Sequence, residues 1–415
     1  MPHASTRTAD ALRHLGHVCH PLDGTAATAA VGAMIAALFA GSTLLTPLYV
    51  IYQHEFYFSR ITLTLIYAVY VVGNLASLMW FGRLSDTFGR RATALPAIGV
   101  SIVGSIVFLF ATGTAALYVG RVLTGLGISV GAGTATAWLA ELIAAKDKSR
   151  ATIAATSANF IGIALGAAVA GVLAQYAPWP LHLSFVLYIV TLLALALLIV
   201  WTRETVAKPR FDLGSLSLRP QFGVPRNIRT QFIAPAAAGF GALALVGFYA
   251  AVVPSVLVER LHESNHAIAG ALLLELGVIS AATLVLTRRA SSRTAMLWAL
   301  ALMIPSVILI VAAQLIASMP LMLIATAACA VAAALGYRGS LQVINEIAPA
   351  DRRAEVVSSY MICVFCGNAL PVIGIGVLAT FASPTVASLA FAALIIVFAV
   401  AALVFGAKSG PAPAR

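Results

Sequence analysis

Long apolar segments with almost no charge recur along the whole chain and limit what it can fold into. Of its 415 residues, 61% are hydrophobic and only 9% are charged, and the mean hydropathy is +0.99. Soluble domains carry about 25% charged residues, so a large soluble fold would lack the charged exterior that it needs. An apolar helix of about 20 residues can cross a bilayer. The sequence therefore predicts an all-α integral membrane protein.

A dozen segments are long and apolar enough to be transmembrane helices, and a polar, basic stretch separates the sixth from the seventh. The predicted helices are 25–50, 60–81, 92–112, 116–144, 152–174, 182–202, 231–257, 267–287, 294–316, 320–347, 355–380 and 385–406. The predicted division is an N-terminal tail over 1–24, a six-helix bundle over 25–202, a central loop over 203–230, a second six-helix bundle over 231–406 and a C-terminal tail over 407–415.

Basic residues lie almost entirely on one side of this topology. With the N-terminus inside, the 25 Lys and Arg residues fall in cytoplasmic segments, except for Arg60, Arg121, Arg260 and Arg338. This asymmetry follows the positive-inside rule and predicts a multi-pass protein of the cytoplasmic membrane with both termini in the cytoplasm. Contact with anionic membrane lipids accounts for the net charge of +11, so no nucleic-acid partner is implied.

The cysteines and histidines give no strong sign of a metal or redox site. Cys363 and Cys366 lie inside an apolar segment, where burial is favoured over redox or metal chemistry. Histidines cluster around Cys19 in the polar N-terminal tail, which could hold a metal, although a solvated tail is the favoured interpretation. We expect no cofactor, no metal site and no cleaved signal peptide.

A short, charge-rich turn separates the second and third predicted helices. It reads Gly82-Arg83-Leu84-Ser85-Asp86-Thr87-Phe88-Gly89-Arg90-Arg91. This turn resembles the Gly-x-Leu-Ala-Asp-Arg-x-Gly-Arg-Lys loop of the major facilitator superfamily, and departs from it at Ser85, Thr87 and Arg91. The resemblance implies a gating role for Gly82, Asp86, Gly89, Arg90 and Arg91. Asp86 is expected to accept hydrogen bonds from the N-terminus of the eleventh helix, where the helix dipole favours an anion.

The resemblance also implies two pseudo-symmetric six-helix bundles with the substrate between them, in a protein that works as a monomer. An internal repeat supports this architecture, because the segment from Glu141 to Arg150 recurs as the segment from Glu346 to Arg353 about half a chain later. By resemblance, Glu141 with Arg150, Glu346 with Arg353, and Glu204 form a network at the cytoplasmic face that latches the bundles.

Glu275 interrupts the eighth predicted helix near the middle of the membrane. It lies about 20 Å from the boundary marked by Arg288 and Arg289, at about 1.5 Å per residue. A charge at this depth costs several kcal/mol, so the carboxyl is expected to be neutral, paired or in a water-filled cavity. It could exchange a proton during transport, or it could be a permanently protonated acid bonded to a neighbouring helix.

Two arginines fall within predicted helices. Arg121 begins Arg121-Val122-Leu123-Thr124-Gly125-Leu126-Gly127, which is similar to the Arg-x-x-x-Gly-x-Gly pattern of the superfamily and implies a part in proton coupling. A buried guanidinium needs a partner, which can be an acid, a carbonyl cluster or the substrate. Arg338 is a second candidate for coupling, but it could also snorkel to the membrane surface or pair with Glu346.

The first, fourth, seventh and tenth helices line the transport path in this superfamily. The cavity candidates are Thr46, Tyr49, Trp138, Tyr249, Gln342 and Asn345, with Tyr67, Asn74, Asn159 and Asn368 on flanking helices. Aromatic and amide side chains with few charges suit a neutral or amphipathic organic solute. The drug–proton antiporter pattern Gly-x-x-x-Gly-Pro-x-x-Gly-Gly is matched only in part, because Ala167 and Ala170 replace its proline and one glycine.

These features together predict a secondary transporter, with protons as the coupling ion and a small organic molecule as substrate. A proton-driven exporter close to the drug-antiporter and sugar-efflux branches is favoured, and a symporter or facilitator for a sugar or organic acid is the alternative. An enzyme is not expected, because the chain has no HExxH motif, no nucleotide-binding glycine loop and no paired carboxylates at mid-membrane depth. A receptor or scaffold that kept the fold without transport stays open.

Overall fold

A computed structural model describes residues 22–81, 84–143, 148–206 and 222–408 of the chain. The histidines of the N-terminal tail, Gly82 of the charged turn and most of the central loop therefore lie outside the described residues. The α-helices are α1 Gly24–Thr43, α2 Tyr49–Phe56, α3 Arg60–Phe81, α4 Leu84–Phe88, α5 Arg90–Leu109, α6 Thr114–Leu142, α7 Lys148–Tyr176, α8 Leu183–Trp201, α9 Arg229–Ala251, α10 Val253–Arg260, α11 His266–Leu286, α12 Ser292–Leu315, α13 Met319–Ile347, α14 Arg353–Phe381 and α15 Pro384–Lys408.

Twelve of these helices are long and apolar enough to cross a membrane, which confirms the predicted number of spans. They are α1, α3, α5, α6, α7, α8, α9, α11, α12, α13, α14 and α15. Because twelve is even, the first and last described residues lie at the same membrane face, which we call the terminal face. The other side is the opposite face.

The first and seventh predicted helices are each broken near the opposite face, contrary to the sequence-based expectation. The helix expected over 25–50 ends at Thr43, and α2 begins only at Tyr49, with Pro47 in the turn between them. The helix expected over 231–257 ends at Ala251, and Pro254 lies in the first turn of α10. Proline lacks the N–H that would continue a helix and restricts the residue before it. The two short helices α2 and α10 contact each other.

The spans form two six-helix bundles, α1–α8 and α9–α15, which meet along α7 with α11 and along α3 with α14. Glycines allow the backbones in these seams to approach closely. A Cβ atom on Gly270 of α11 would lie 2.5 Å from the carbonyl oxygen of Ala167 in α7, and one on Gly277 would lie 2.5 Å from that of Phe160. Small residues take this role in membranes because lipid tails give apolar helices little reason to associate.

Away from the middle of the membrane, the polar contacts that the structure describes between the bundles lie at the opposite face. Arg60 pairs with Glu259, the Asn265 amide donates to the Tyr176 hydroxyl, and the backbone N–H of His266 donates to Gln175. The ion pairs that the structure describes at the terminal face each join residues of one bundle. The structure thus holds the bundles together at the opposite face.

Candidate functional site: a central cavity beside a buried arginine

A cavity of about 750 Å³, including its open mouth, lies between the two bundles. Its lining reaches from Met361, about 12 Å along α14 from the first residue of that helix at the terminal face, to Thr43 and Ala250 beside the breaks in the first and seventh spans. Its lining consists of aromatic, aliphatic, amide and hydroxyl side chains, and no charged side chain belongs to it among the described residues.

Three polar residues of the cavity wall form a bridge between the bundles. The Tyr67 hydroxyl of α3 donates to the Oδ1 atom of Asn368 in α14 at 3.0 Å, and the Asn368 amide donates to the Tyr70 hydroxyl of α3. All three residues line the cavity. Asn368 is also packed tightly against α9, because a Cβ atom on Gly247 would lie 2.7 Å from its Oδ1 atom.

Arg121 of α6 is fully buried behind this bridge. Its guanidinium donates to the carbonyl oxygen of Ser42 at 2.7 Å and to the Tyr49 hydroxyl. The guanidinium carbon also lies 5.9 Å from the ring centre of Tyr67 and 6.0 Å from that of Tyr70, within the range of cation–π attraction. The partners of this buried charge are thus a carbonyl, a hydroxyl and aromatic faces.

Glu275 lies in α11, about 14 Å along the helix from its start at the opposite face. Its Oε2 atom is buried and has no hydrogen-bond partner. The Tyr249 hydroxyl of α9 is also buried without a hydrogen-bond partner. Glu275 belongs neither to the lining of the cavity nor to the partners of Arg121.

Arg338 binds the end of a neighbouring helix and does not pair with Glu346. Its guanidinium donates to the carbonyl oxygens of Thr287 at 2.6 Å and Ala290 at 2.8 Å, at the C-terminal end of α11, and its Nε atom faces the Gln342 side chain at 3.4 Å. A cation is stabilised at a helix C-terminus by the helix dipole. This geometry favours a structural role for Arg338.

The terminal face of the first bundle carries a network centred on Arg90. Its guanidinium contacts Asp86 at 2.6 Å and Glu141 at 2.6 Å. The Glu204 carboxylate accepts the backbone N–H groups of Arg90 and Arg91 at 3.0 and 2.9 Å, and thereby caps the start of α5. The network joins the turn, the end of α6 and the segment after α8.

Several expected partners in this region are wrong. Asp86 pairs with Arg90 and not with the N-terminus of the eleventh span. Glu141 pairs with Arg90 and the Thr205 hydroxyl and not with Arg150. Glu346 accepts a hydrogen bond from Ser292 at 2.6 Å and not from Arg353, which is exposed at the start of α14. The sequence repeat gave the position of these residues but not the helix that each one faces.

Comparison with known proteins places this architecture in a family. The model of the Major Facilitator Superfamily matches residues 31–370. The chain belongs to the Major Facilitator Superfamily. Members of this family and the relatives found are membrane transporters rather than enzymes, and the twelve candidate spans agree with a multi-pass membrane protein.

Curated relatives match this chain only in part. An uncharacterized transporter of Rickettsia felis is 28% identical over 123 residues, which are 30% of this chain and 30% of the relative. The class B tetracycline resistance protein of Escherichia coli is 28% identical over 144 residues, 33% of this chain and 34% of the relative. The chain therefore spans about a third of the length of these relatives.

Solved structures of the superfamily match the fold along nearly the whole chain. The human organic anion transporter MFSD10 (TETRAN) superposes with a TM-score of 0.67 at 16% identity, over 91% of this chain and 99% of that one. A bacterial homolog of the human lysosomal transporter Spinster gives a TM-score of 0.69 at 15% identity, over 93% and 98%. At these identities the likeness shows the fold alone.

Of the cavity candidates expected from the superfamily, Tyr67, Asn74, Asn159 and Asn368 line the cavity. The other candidates have different surroundings. Thr46 and Tyr249 are buried, and the Tyr49 hydroxyl accepts a hydrogen bond from Arg121. Trp138 donates to the Arg203 carbonyl, Gln342 faces Arg338, and Asn345 is exposed on α13. Most candidates were named because they lie on the first, fourth, seventh and tenth spans. Much of the cavity wall comes instead from α3, α7 and α14.

Sequence reasoning left Tyr70 and Tyr337 out of the cavity, although both line it. A signal for Tyr70 was available, because it lies one turn after Tyr67 on the same face of a transmembrane helix. Tyr337 directly precedes Arg338, and the charge of Arg338 was the more prominent feature of this part of the sequence. Within the described ranges no group of three or more His, Cys, Asp or Glu side chains could hold a metal.

Proposed function

We propose that this transporter is a proton-coupled exporter of small organic molecules in the cytoplasmic membrane, working as a monomer with its terminal face in the cytoplasm. The observation that carries the proposal is the Glu275 carboxyl, which lies at mid-membrane depth with a buried oxygen that has no partner. An ionisable group in this setting is costly and is expected to serve ion movement. The excess of basic residues on the terminal face supports the orientation.

The walls of the cavity support an organic solute. Ligand pockets commonly have mostly apolar walls with a few polar groups that fix orientation. The cavity of this protein has such walls, with Phe39, Phe160 and Phe365 beside the Tyr67–Asn368–Tyr70 bridge. Export is supported by the similarity to the class B tetracycline resistance protein.

The alternative is a proton symporter or facilitator for a sugar or organic acid. It is supported by a similarity of the same strength, because the Arabidopsis thaliana sugar transporter ERD6-like 6 is 29% identical over 109 residues, 26% of this chain and 21% of that one. The two functions differ in the direction of the proton gradient that drives uptake.

Reconstituted vesicles separate these functions without control of protein orientation. In an exporter that exchanges protons for solute, an acidic interior drives uptake of a probe such as tetracycline or a fluorescent aromatic dye. In a symporter, an acidic exterior drives uptake of a probe such as glucose. We expect uptake of an aromatic probe with an acidic interior; uptake only with an acidic exterior, or uptake that ignores the gradient, contradicts the proposal.

The Glu275→Gln variant tests the proton site. It keeps the size of the side chain and its capacity for hydrogen bonding but cannot release a proton. Gradient-driven uptake is expected to fall at least about tenfold, while exchange of probe between both sides without a gradient survives. Glu55→Gln is the matched control, because Glu55 is an exposed carboxyl on α2. Full gradient-driven uptake by Glu275→Gln would exclude this carboxyl from coupling.

A further inference from the structure

Within the part of the chain that the structure describes, one hydroxyl proton of the bridge in the cavity wall has no hydrogen-bond acceptor. The Asn368 amide has an oxygen that accepts and a nitrogen that donates. One tyrosine therefore donates to this amide and the other accepts from it. The tyrosine that accepts keeps its own O–H proton, and this remains true if the amide is turned over. Since both hydroxyls belong to residues of the cavity wall, the cavity offers a hydrogen-bond donor to its occupant.

A positive charge lies directly behind this donor. Arg121 is 0% exposed, and within the described part of the chain no carboxylate forms an ion pair with it. Its Nε atom is buried without a hydrogen-bond partner. The neutral groups around it stabilise the guanidinium but do not cancel its charge. An unpaired buried charge is unfavourable, so an anion nearby would be stabilised.

From this arrangement we infer, resting on the proposed function, that the cavity selects aromatic organic anions. An acceptor such as a carboxylate binds the free hydroxyl of the Tyr67–Asn368–Tyr70 bridge, and the charge of Arg121 stabilises it through the two tyrosine rings. The aromatic body packs against the phenylalanines of the wall. An organic cation is repelled by Arg121 and finds no carboxylate in the described lining to neutralise it.

The bridge also explains how such a ligand would contact both bundles at once. Tyr67 and Tyr70 belong to α3 of the first bundle, and Asn368 belongs to α14 of the second. An anion at the free hydroxyl would strengthen the chain of hydrogen bonds, because each bond polarises the next. Binding is thereby linked to the seam along which the bundles meet.

Charge-matched probes test the inference by titration calorimetry on the full-length protein in detergent. We would compare naphthoate with naphthamide and naphthylmethylammonium, and repeat the comparison with the larger biphenyl series. The carboxylates are expected to bind at least about tenfold more tightly than the amides, and the ammonium compounds not measurably. Equal affinity for amide and carboxylate, tighter binding of the ammonium compounds, or no binding by either carboxylate would overturn the inference.

Variants identify the groups responsible. Tyr67→Phe/Tyr70→Phe/Asn368→Ala removes every hydrogen-bond donor of the bridge, including the Asn368 N–H that would be freed if only the tyrosines were replaced. In this triple variant the affinity for carboxylates is expected to fall about tenfold, because the donors are lost, and the affinity for amides is expected to fall less. In Tyr118→Phe, a half-buried tyrosine outside the cavity lining, affinity should be unchanged. Arg121→Lys keeps the charge and should retain the preference for carboxylates. Unchanged carboxylate affinity in the triple variant means that the bridge does not bind the anion.

These measurements do not depend on transport. If the carboxylates bind preferentially but no pH gradient drives uptake of any probe, the proposed proton-coupled export is wrong and the anion site stands. If gradient-driven uptake of neutral or cationic probes is found and carboxylates fail to bind, the anion site is wrong and proton-coupled export stands.

Discussion

Arg60 and Glu259 form an ion pair across the two bundles at the opposite face, with 2.9 Å between Nη2 and Oε1. Arg60 begins α3 of the first bundle, and Glu259 lies in α10 of the second. Arg60 also donates to the carbonyl oxygen of Ala379 in α14 at 3.2 Å. One side chain thus binds two elements of the other bundle at the opposite face.

Arg60→Gln is expected to increase the population open at the opposite face. The pair is partly exposed, so its contribution is about 1 kcal/mol or less, which changes the ratio of two states by up to about fivefold. Spin labels at Tyr57 and Ser264, introduced into a background without native cysteines, would report the distance between the bundles. Both positions are exposed at the opposite face.

The reversed pair Arg60→Glu with Glu259→Arg is expected to return the distance distribution towards that of the natural protein. Arg352→Gln is the control, because Arg352 pairs with Glu355 within one bundle at the other face. If Arg60→Gln and Arg352→Gln leave the same distribution, the Arg60–Glu259 pair does not hold the opposite face closed.

The α7–α11 seam gives a prediction based on packing. In Gly270→Ala the new methyl group would lie 2.5 Å from the carbonyl oxygen of Ala167, and the backbone there cannot move without separating the helices. The conformation seen here should lose about 1–3 kcal/mol. Thermal unfolding in detergent and the same spin labels would show lower stability and a shift towards opening at the opposite face.

Gly374→Ala is the control for this substitution, because a Cβ atom there meets nothing within 4 Å. It lies in the α14 helix, where alanine has a higher helix propensity than glycine. Gly374→Ala should therefore be neutral or slightly stabilising. Similar losses in both variants would mean that the close approach of α7 and α11 has no particular importance.

The Arg90 network predicts a loss of stability confined to the terminal face. Arg90→Gln removes the hydrogen bonds to Asp86 and Glu141, and a hydrogen bond to a charged group contributes about 1.5–3 kcal/mol. Hydrogen exchange should increase at the end of α6 and the start of α5 and remain unchanged in the second bundle. Asp351→Asn, at an exposed carboxyl of the terminal face, is the control. Equal exchange in both variants would contradict a structural role for Arg90.

The sequence predicted the spans well because apolar length is a local property. Each of the twelve helices reached a bilayer's thickness with few charges. The breaks after Thr43 and Ala251 were missed because the apolar composition continues through Pro47 and Pro254. Proline inside a transmembrane helix is also no reliable breaker, since Pro96 and Pro371 lie within helices here.

The partners of charged residues were predicted poorly, because spacing along the chain does not determine which helices face each other. Glu141 is close to Arg150 in sequence, yet the packing of α5 against α6 brings Arg90 to it instead. For Arg121, the physical need for a partner indicated a carbonyl, and the structure supplies that of Ser42. The aromatic part of its environment depends on how α3 packs against α6, which no local pattern shows.

Arg121→Lys is predicted to reduce transport without loss of expression. Lysine keeps the charge but lacks the planar fork that reaches the Ser42 carbonyl and the Tyr49 hydroxyl together. Loss of one such bond corresponds to about 1.5 kcal/mol or more, so probe uptake should fall about tenfold. Arg226→Lys, at an exposed position before α9, is the matched control.

Arg121→Ala should abolish uptake and lower the yield of folded protein, because the polar groups around the guanidinium are left buried without a partner. If Arg121→Ala is expressed and transports normally in vesicles at every pH, the buried guanidinium contributes neither to the cavity nor to coupling.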